Sequence, residues 1–105
     1  MVRGEVRRLR LPSERRGSEQ RGTRFGVVVQ ADELLALSTV LMAPTSRSAP
    51  ARSFRPTIAL AGQLTRVLVE QTTAVSADRI GESAGRLSAE ELRALDEALA
   101  TVLGL

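Results

Sequence analysis

The sequence predicts a mainly β protein with some α: a small, twisted, barrel-like antiparallel sheet carrying one carboxy-terminal α-helix. Three observations predict it. Short β-branched stretches recur between Gly, Pro and Ser turns. The last twenty residues switch to helical spacing behind a capping signal. The two aromatics of the 105 residues, Phe25 and Phe54, leave a core of Leu, Val, Ile and Ala. A chain of this length supports one modest core, so a single domain is expected over 1–105.

Taken in order, Val2 to Leu11 alternates imperfectly, with Val2, Leu9 and Leu11 apolar and Arg7, Arg8 and Arg10 charged, and reads as a strand with one wet face. Pro12 to Gly17 is a basic, turn-rich loop. Thr23 to Gln30, centred on Val27-Val28-Val29, is the second strand. Ala31 to Leu37, with Asp32 as a cap, has room for a turn or two of helix. Ser38 to Pro44 is a third, apolar strand, and Thr45 to Arg52 a small-residue polar loop. Pro56 demotes Ser53 to Leu60 to an edge or interrupted strand, and Gly62 turns the chain into Thr65 to Gln71. In that last run Val67 and Val69 share one face and Arg66, Leu68 and Glu70 the other, which suggests a strand between core and interface. Ala74 to Ser76 adds a short strand, and Arg79 to Gly85 is read as loop. Ser88 and Glu91 then form a capping box ahead of Leu92, Leu95, Leu99 and Leu103, with Gly104 closing the helix.

Composition narrows the chemistry. Cysteine and histidine are absent, which excludes disulfides, thiolate catalysis and the commonest metal ligand and acid–base group. Any reaction must use Arg, Asp, Glu, Ser or Thr, and no cofactor or metal is expected. No stretch approaches the roughly 20 apolar residues of a membrane span, and the arginine-rich start lacks the apolar core of a secretory signal. A cytoplasmic protein without a membrane partner is expected. All 15 basic residues are Arg. Residues 1–24 hold eight of them against Glu5, Glu14 and Glu19, whereas residues 78–105 hold six acids against three Arg. A basic amino-terminal third suits a polyanion, and Arg favours forked phosphate contacts and stacking on bases.

Gly17 to Val29 concentrates these features. Two glycines and polar Ser18, Glu19 and Gln20 make a turn, which runs into an apolar strand that fixes Arg24 at its head. A guanidinium and a carboxylate at such a junction suit phosphate chemistry, because the fork matches phosphate oxygens and the carboxylate can accept a proton. The same spacing also describes a solvated hairpin with a salt bridge.

R-G-E at 3–5, G-S-E-Q-x-G-x-R at 17–24 before the Val run, A-P-T-S at 43–46, V-E-Q at 69–71, and G-R-L-S with the closing helix resemble, in order, the MazF/PemK family of toxins from type II toxin–antitoxin pairs. The resemblance covers essentially the whole chain. It implies a small SH3-like (CcdB/PemK-type) antiparallel β-barrel with a C-terminal α-helix. It also implies a homodimer that cleaves single-stranded RNA without metal, held inactive by a MazE-like cognate antitoxin whose tail fills the RNA groove. The family's catalytic arginine falls on Arg24, its threonine on Thr45 and its loop carboxylate on Glu19. Arg15, Arg16, Gln20, Arg21, Ser46 and Arg47 are the RNA-binding candidates that go with them. Thr45 and Ser46 compete for the hydroxyl role, because family members commonly carry an extra apolar residue between the Pro and the Thr. Glu19 either takes the 2′-OH proton or orients Arg24. Two departures stand out. Arg7, Arg8 and Arg10 replace the usual aromatic and Asp after R-G-E, and Phe25 replaces the Pro after the arginine. A CcdB-like toxin that binds a protein target, or a catalytically degenerate relative, is the alternative the fold alone permits.

Overall fold

Val27, Val28 and Val29 lie at the centre of the molecule because their strand is covered on both faces. The computed structural model describes residues 1–10 and 24–105. Among them are seven strands, β1 (Glu5–Leu9), β2 (Arg24–Val28), β3 (Thr39–Ser46), β4 (Thr57–Leu60), β5 (Gln63–Val67), β6 (Thr73–Ser76) and β7 (Ile80–Arg86), and one helix, α1 (Ala89–Leu103). The strands form a curled antiparallel sheet in the order β4-β5-β3-β2-β1-β7, with β6 pairing a second stretch of β3. Val27 and Val29 point to the main core, where Val67, Val69 and Ile58 meet Leu95 of α1. Val28 points to a second, smaller core with Val40, Met42 and Ile80. A continuous apolar run is the pattern a two-sided strand requires.

The helix starts as its capping box dictates. Ser88 Oγ accepts from the Glu91 N–H at 3.1 Å, and Glu91 Oε1 accepts from the Ser88 N–H at 2.9 Å. Gly104 ends it with φ of 73°, a left-handed angle that favours glycine. The leucine stripe buries Leu95 completely, but Leu103 is 63% exposed, so the stripe outruns the sheet beneath it. The R-G-E segment fastens the sheet to this helix. Arg3 Nε donates to the Val29 carbonyl at 2.8 Å, and its fork reaches Asp96 of α1 at 2.8 Å.

Several boundaries differ from the sequence expectation. Strand β1 is shorter than Val2 to Leu11, and β2 occupies the middle of Thr23 to Gln30. Asp32 does not cap its 3₁₀ turn (Asp32–Leu34). Its carboxylate instead accepts from the Arg3 N–H at 2.6 Å. Arg79 to Gly85 is not a loop: Ile80–Arg86 is the edge strand beside β1. It showed no periodic pattern because Ile80 is its sole buried residue. It exists because β1 offers a ladder, and at Gly81 an added Cβ would lie 3.2 Å from the Arg8 carbonyl oxygen, a contact glycine avoids. Strand β3 continues through Thr45 and Ser46, where the sequence predicts a loop, because both find partners on β5, Val67 and Arg66 respectively. Finally, β5 ends at Val67 and a 3₁₀ turn (Val69–Gln71) follows. Leu68 itself is only 9% exposed, and the open apolar side chain of this stretch is Leu64, 70% exposed.

Candidate active site

Arg24 heads β2, exposed, one residue before Phe25. Its cross-strand partner is Leu9, and its guanidinium has no hydrogen-bond or ion-pair partner among the described residues. Phe25 turns to the opposite face and packs on the main core, with the Arg8 guanidinium 5.6 Å from its ring centroid. The residue in place of the family's proline therefore has a packing role. Arg7, at another departure, is engaged in structure: its Nε donates to the Gly81 carbonyl at 2.7 Å and its fork meets Glu5 at 3.3 Å.

Beside Phe25 a cleft of about 170 Å³ opens between the end of β3 and the β4–β5 turn. Its described lining includes Phe25, Thr45, Ser46, Arg47, Gln63 and Thr65. Thr45 Oγ1 donates to the Phe25 carbonyl at 3.3 Å. Ser46 Oγ has a different task, accepting from the Ala49 N–H at 3.1 Å and so closing the turn that leaves β3. The Arg47 fork donates to Gln63 Oε1, which ties one rim of the cleft to the other. Thr65 of β5, 3% exposed, forms a buried polar floor. Arg24 is not among the described lining residues.

Arg55 Nε and one terminal nitrogen donate to Glu70 Oε2 at 3.0 and 2.6 Å. The Arg55 hydrogen bond holds the Glu70 carboxyl below its ordinary value, against the opposing pull of burial. Glu70 of the V-E-Q motif is thus a brace for the chain that follows β3. Glu19, Arg15, Arg16, Gln20 and Arg21 lie outside the described residues. No group of three or more Asp or Glu that could hold a metal ion occurs among the described residues.

The family model for the PemK-like, MazF-like toxin of type II toxin–antitoxin systems matches residues 2–103. A candidate toxin of Mycobacterium tuberculosis is 34% identical over 106 residues, spanning 100% of this chain and 99% of its own length. The chain belongs to the PemK/MazF toxin family. Solved structures share the family fold at low identity. A mycobacterial endoribonuclease in complex with its cognate antitoxin superposes with a TM-score of 0.81 at 17% identity, covering 100% of this chain and 96% of that one. The Mycobacterium tuberculosis toxin MazF-mt6 gives 0.80 at 17% identity, with 96% and 97% covered. MazF in the MazE-MazF structure from Deinococcus radiodurans gives 0.79 at 18%, with 100% and 96% covered.

Within this PemK/MazF chain, sequence reasoning overlooked the cleft-lining Gln63 and Thr65. Gln63 and Thr65, two positions apart on β5, share one face, and that pair of polar residues on a short strand was the available signal. It could be read only once β5 was known to border Thr45 and Ser46.

Proposed function

We propose that this toxin is a sequence-selective endoribonuclease that cleaves single-stranded RNA by transesterification and so blocks translation. The observation that carries the reading is a guanidinium, Arg24, that has no partner among the described residues and stands at the strand end next to a hydroxyl-lined cleft. In this chemistry the substrate's own 2′-oxygen attacks phosphorus, the P–O5′ bond breaks, and a 2′,3′-cyclic phosphate and a 5′-OH result. No activated water is required, so a chain without His or Cys can perform it. The protein must stabilise the added negative charge and move two protons, one off the 2′-OH and one onto the departing 5′-oxygen.

Arg24 is assigned the charge. Arginine's ordinary pKa above about 12 makes it a poor proton donor and a good electrostatic clamp. Thr45 is assigned a hydrogen bond to a phosphate oxygen, and Ser46 and Arg47 contacts at the cleft rim. Glu19 is the carboxylate of the G-S-E-Q motif and the candidate base for the 2′-OH proton. The basic amino-terminal third supplies attraction for the RNA backbone. An acidic antitoxin segment competing for the same arginines would silence the enzyme. The active form is proposed to be a cytoplasmic homodimer.

The test is incubation with a long RNA in excess EDTA, followed by mapping of both new ends. Discrete cuts bearing cyclic phosphate and 5′-OH support the reading. Intact RNA, or cuts that appear only with added metal, overturn it.

A further inference from the structure

We infer that Arg66, which no motif of the family resemblance includes, is a second RNA-backbone contact working in line with Arg24. The inference rests on the ribonuclease reading. Its basis is sheet register. Arg66 lies opposite Ser46 on one side and Thr57 on the other. The β2–β3 pairing of Gly26 with Pro44, continued by two residues, sets Arg24 opposite Ser46. Residues directly opposite across antiparallel strands share a face, so Thr57, Arg66, Ser46 and Arg24 form one row across four strands. Leu9, opposite Arg24, continues the row and packs in the second core. This agrees with the row lying on the face away from Val67 and the main core.

Arg66 is an unusual occupant of the middle of a sheet. Its Nε is buried and has no hydrogen-bond partner among the described residues, although buried polar nitrogens are nearly always paired. Neighbouring strands lie about 4.8 Å apart, which puts the Arg24 and Arg66 backbones roughly 10 Å from each other with Ser46 between them. Two forks on long stems at that separation can grip a phosphodiester chain on either side of the reacting group. A phosphate oxygen is the acceptor that the terminal nitrogens of such a fork would take.

The competing role is a structural one toward Glu70, whose Oε1 is also buried without a hydrogen-bond partner among the described residues. Binding under varied salt separates the two. The probe is a single-stranded RNA carrying a mapped cleavage site and methylated at its 2′-oxygens so that it cannot be cut, and anisotropy is the readout. Arg66→Gln is expected to weaken binding about tenfold at low salt and to lower the log–log salt slope by about 0.7, the value for one lost contact on a single strand. Arg66→Lys should restore the slope while recovering only part of the affinity, since it keeps the charge and loses the fork. Thr57→Glu, an exposed change on the same row, should weaken binding in the same direction and keeps the test decisive if Arg66→Gln does not fold. If wild type binds and Thr57→Glu and a folded Arg66→Gln match it in affinity and slope, the Arg66 contact is overturned and the ribonuclease reading stands. If wild type neither binds nor cleaves RNA, both fall.

Discussion

Thr45 Oγ1 donates to the Phe25 carbonyl at 3.3 Å, on the face of the sheet that packs the helix, whereas Arg24, one residue before Phe25, leaves by the other face. A phosphate that touches both Arg24 and Thr45 must therefore sit at the rim, beyond the strand ends. Each side chain then approaches from its own side.

Arg24→Ala should lower cleavage by about 10² to 10³, as for loss of an oxyanion donor. The melting temperature should stay close to wild type, because the guanidinium is exposed and unpartnered among the described residues. Thr45→Ala should cost more activity than Ser46→Ala, whose hydroxyl caps the turn at Ala49. Ser46→Ala should show its loss in stability, about 0.5–1.5 kcal/mol for one hydrogen bond. Single-turnover rates and melting curves on the three variants check this. A larger rate loss in Ser46→Ala would transfer the hydroxyl role to Ser46.

Helix α1 is anchored by Glu91 twice over. One carboxylate oxygen completes the capping box and the other accepts from the Ala59 N–H at 3.0 Å, which fastens the helix start to edge strand β4. Ser88→Ala should destabilise by about 1 kcal/mol, the usual cost of losing an N-cap. Glu91→Ala should cost more, because it also leaves a strand N–H without its acceptor. Urea denaturation of both variants gives the comparison, and equal losses would mean that the Ala59 contact contributes nothing.

Two carboxyl groups make the fold acid-sensitive. Arg55 hydrogen bonds hold Glu70 below its ordinary value of 4.5. At Glu5 burial pulls upward, but hydrogen bonds from Ser83 and the Val2 N–H, with the neighbouring Arg7, outweigh it and leave the group lowered from 4.5 as well. A carboxyl that titrates lower in the folded than in the unfolded chain contributes stability fully above the unfolded value, and that stability disappears as pH falls through the folded one. Denaturation midpoints should therefore hold from neutrality to about pH 5 and drop below it. Glu70→Gln should flatten part of that drop, and an unchanged acid limb in the variant would remove Glu70 from the account.

What the sequence disclosed, and what it hid, follows from where each signal is stored. The valine run, the capping box and Pro56 at the sheet edge are local patterns, and each stands where it was expected. β7 was invisible because an edge strand with one buried side chain carries no periodicity; its evidence is the ladder presented by β1. Thr45 and Ser46 read as loop in the sequence because small polar residues after a proline look like one, and only the pairing to Val67 and Arg66 makes them strand. The Arg24 face and the Arg66 row depend on register between distant strands, which no single stretch encodes.

Burial of Leu68 within its own chain leaves the end of α1 as the apolar surface on which a dimer interface is expected. A second cleft of about 360 Å³, lined by Leu41, Val69, Leu99, Val102 and Leu103 among others, opens beside the end of α1. Leu41 is 44% and Leu103 63% exposed. A small chain gains stability by burying such a patch, at about 25 cal/mol per Å² of apolar area removed from water. A symmetric pair would bury it on both copies at once. Light scattering at micromolar concentration should report a dimer, and Leu103→Glu should shift it toward a folded monomer with an unchanged circular dichroism spectrum. Leu68→Glu, by contrast, should unfold the chain, because it would place a charge in a packed interior. A wild-type monomer would sink the dimer. A Leu103→Glu variant that remains dimeric would instead move the interface away from the end of α1.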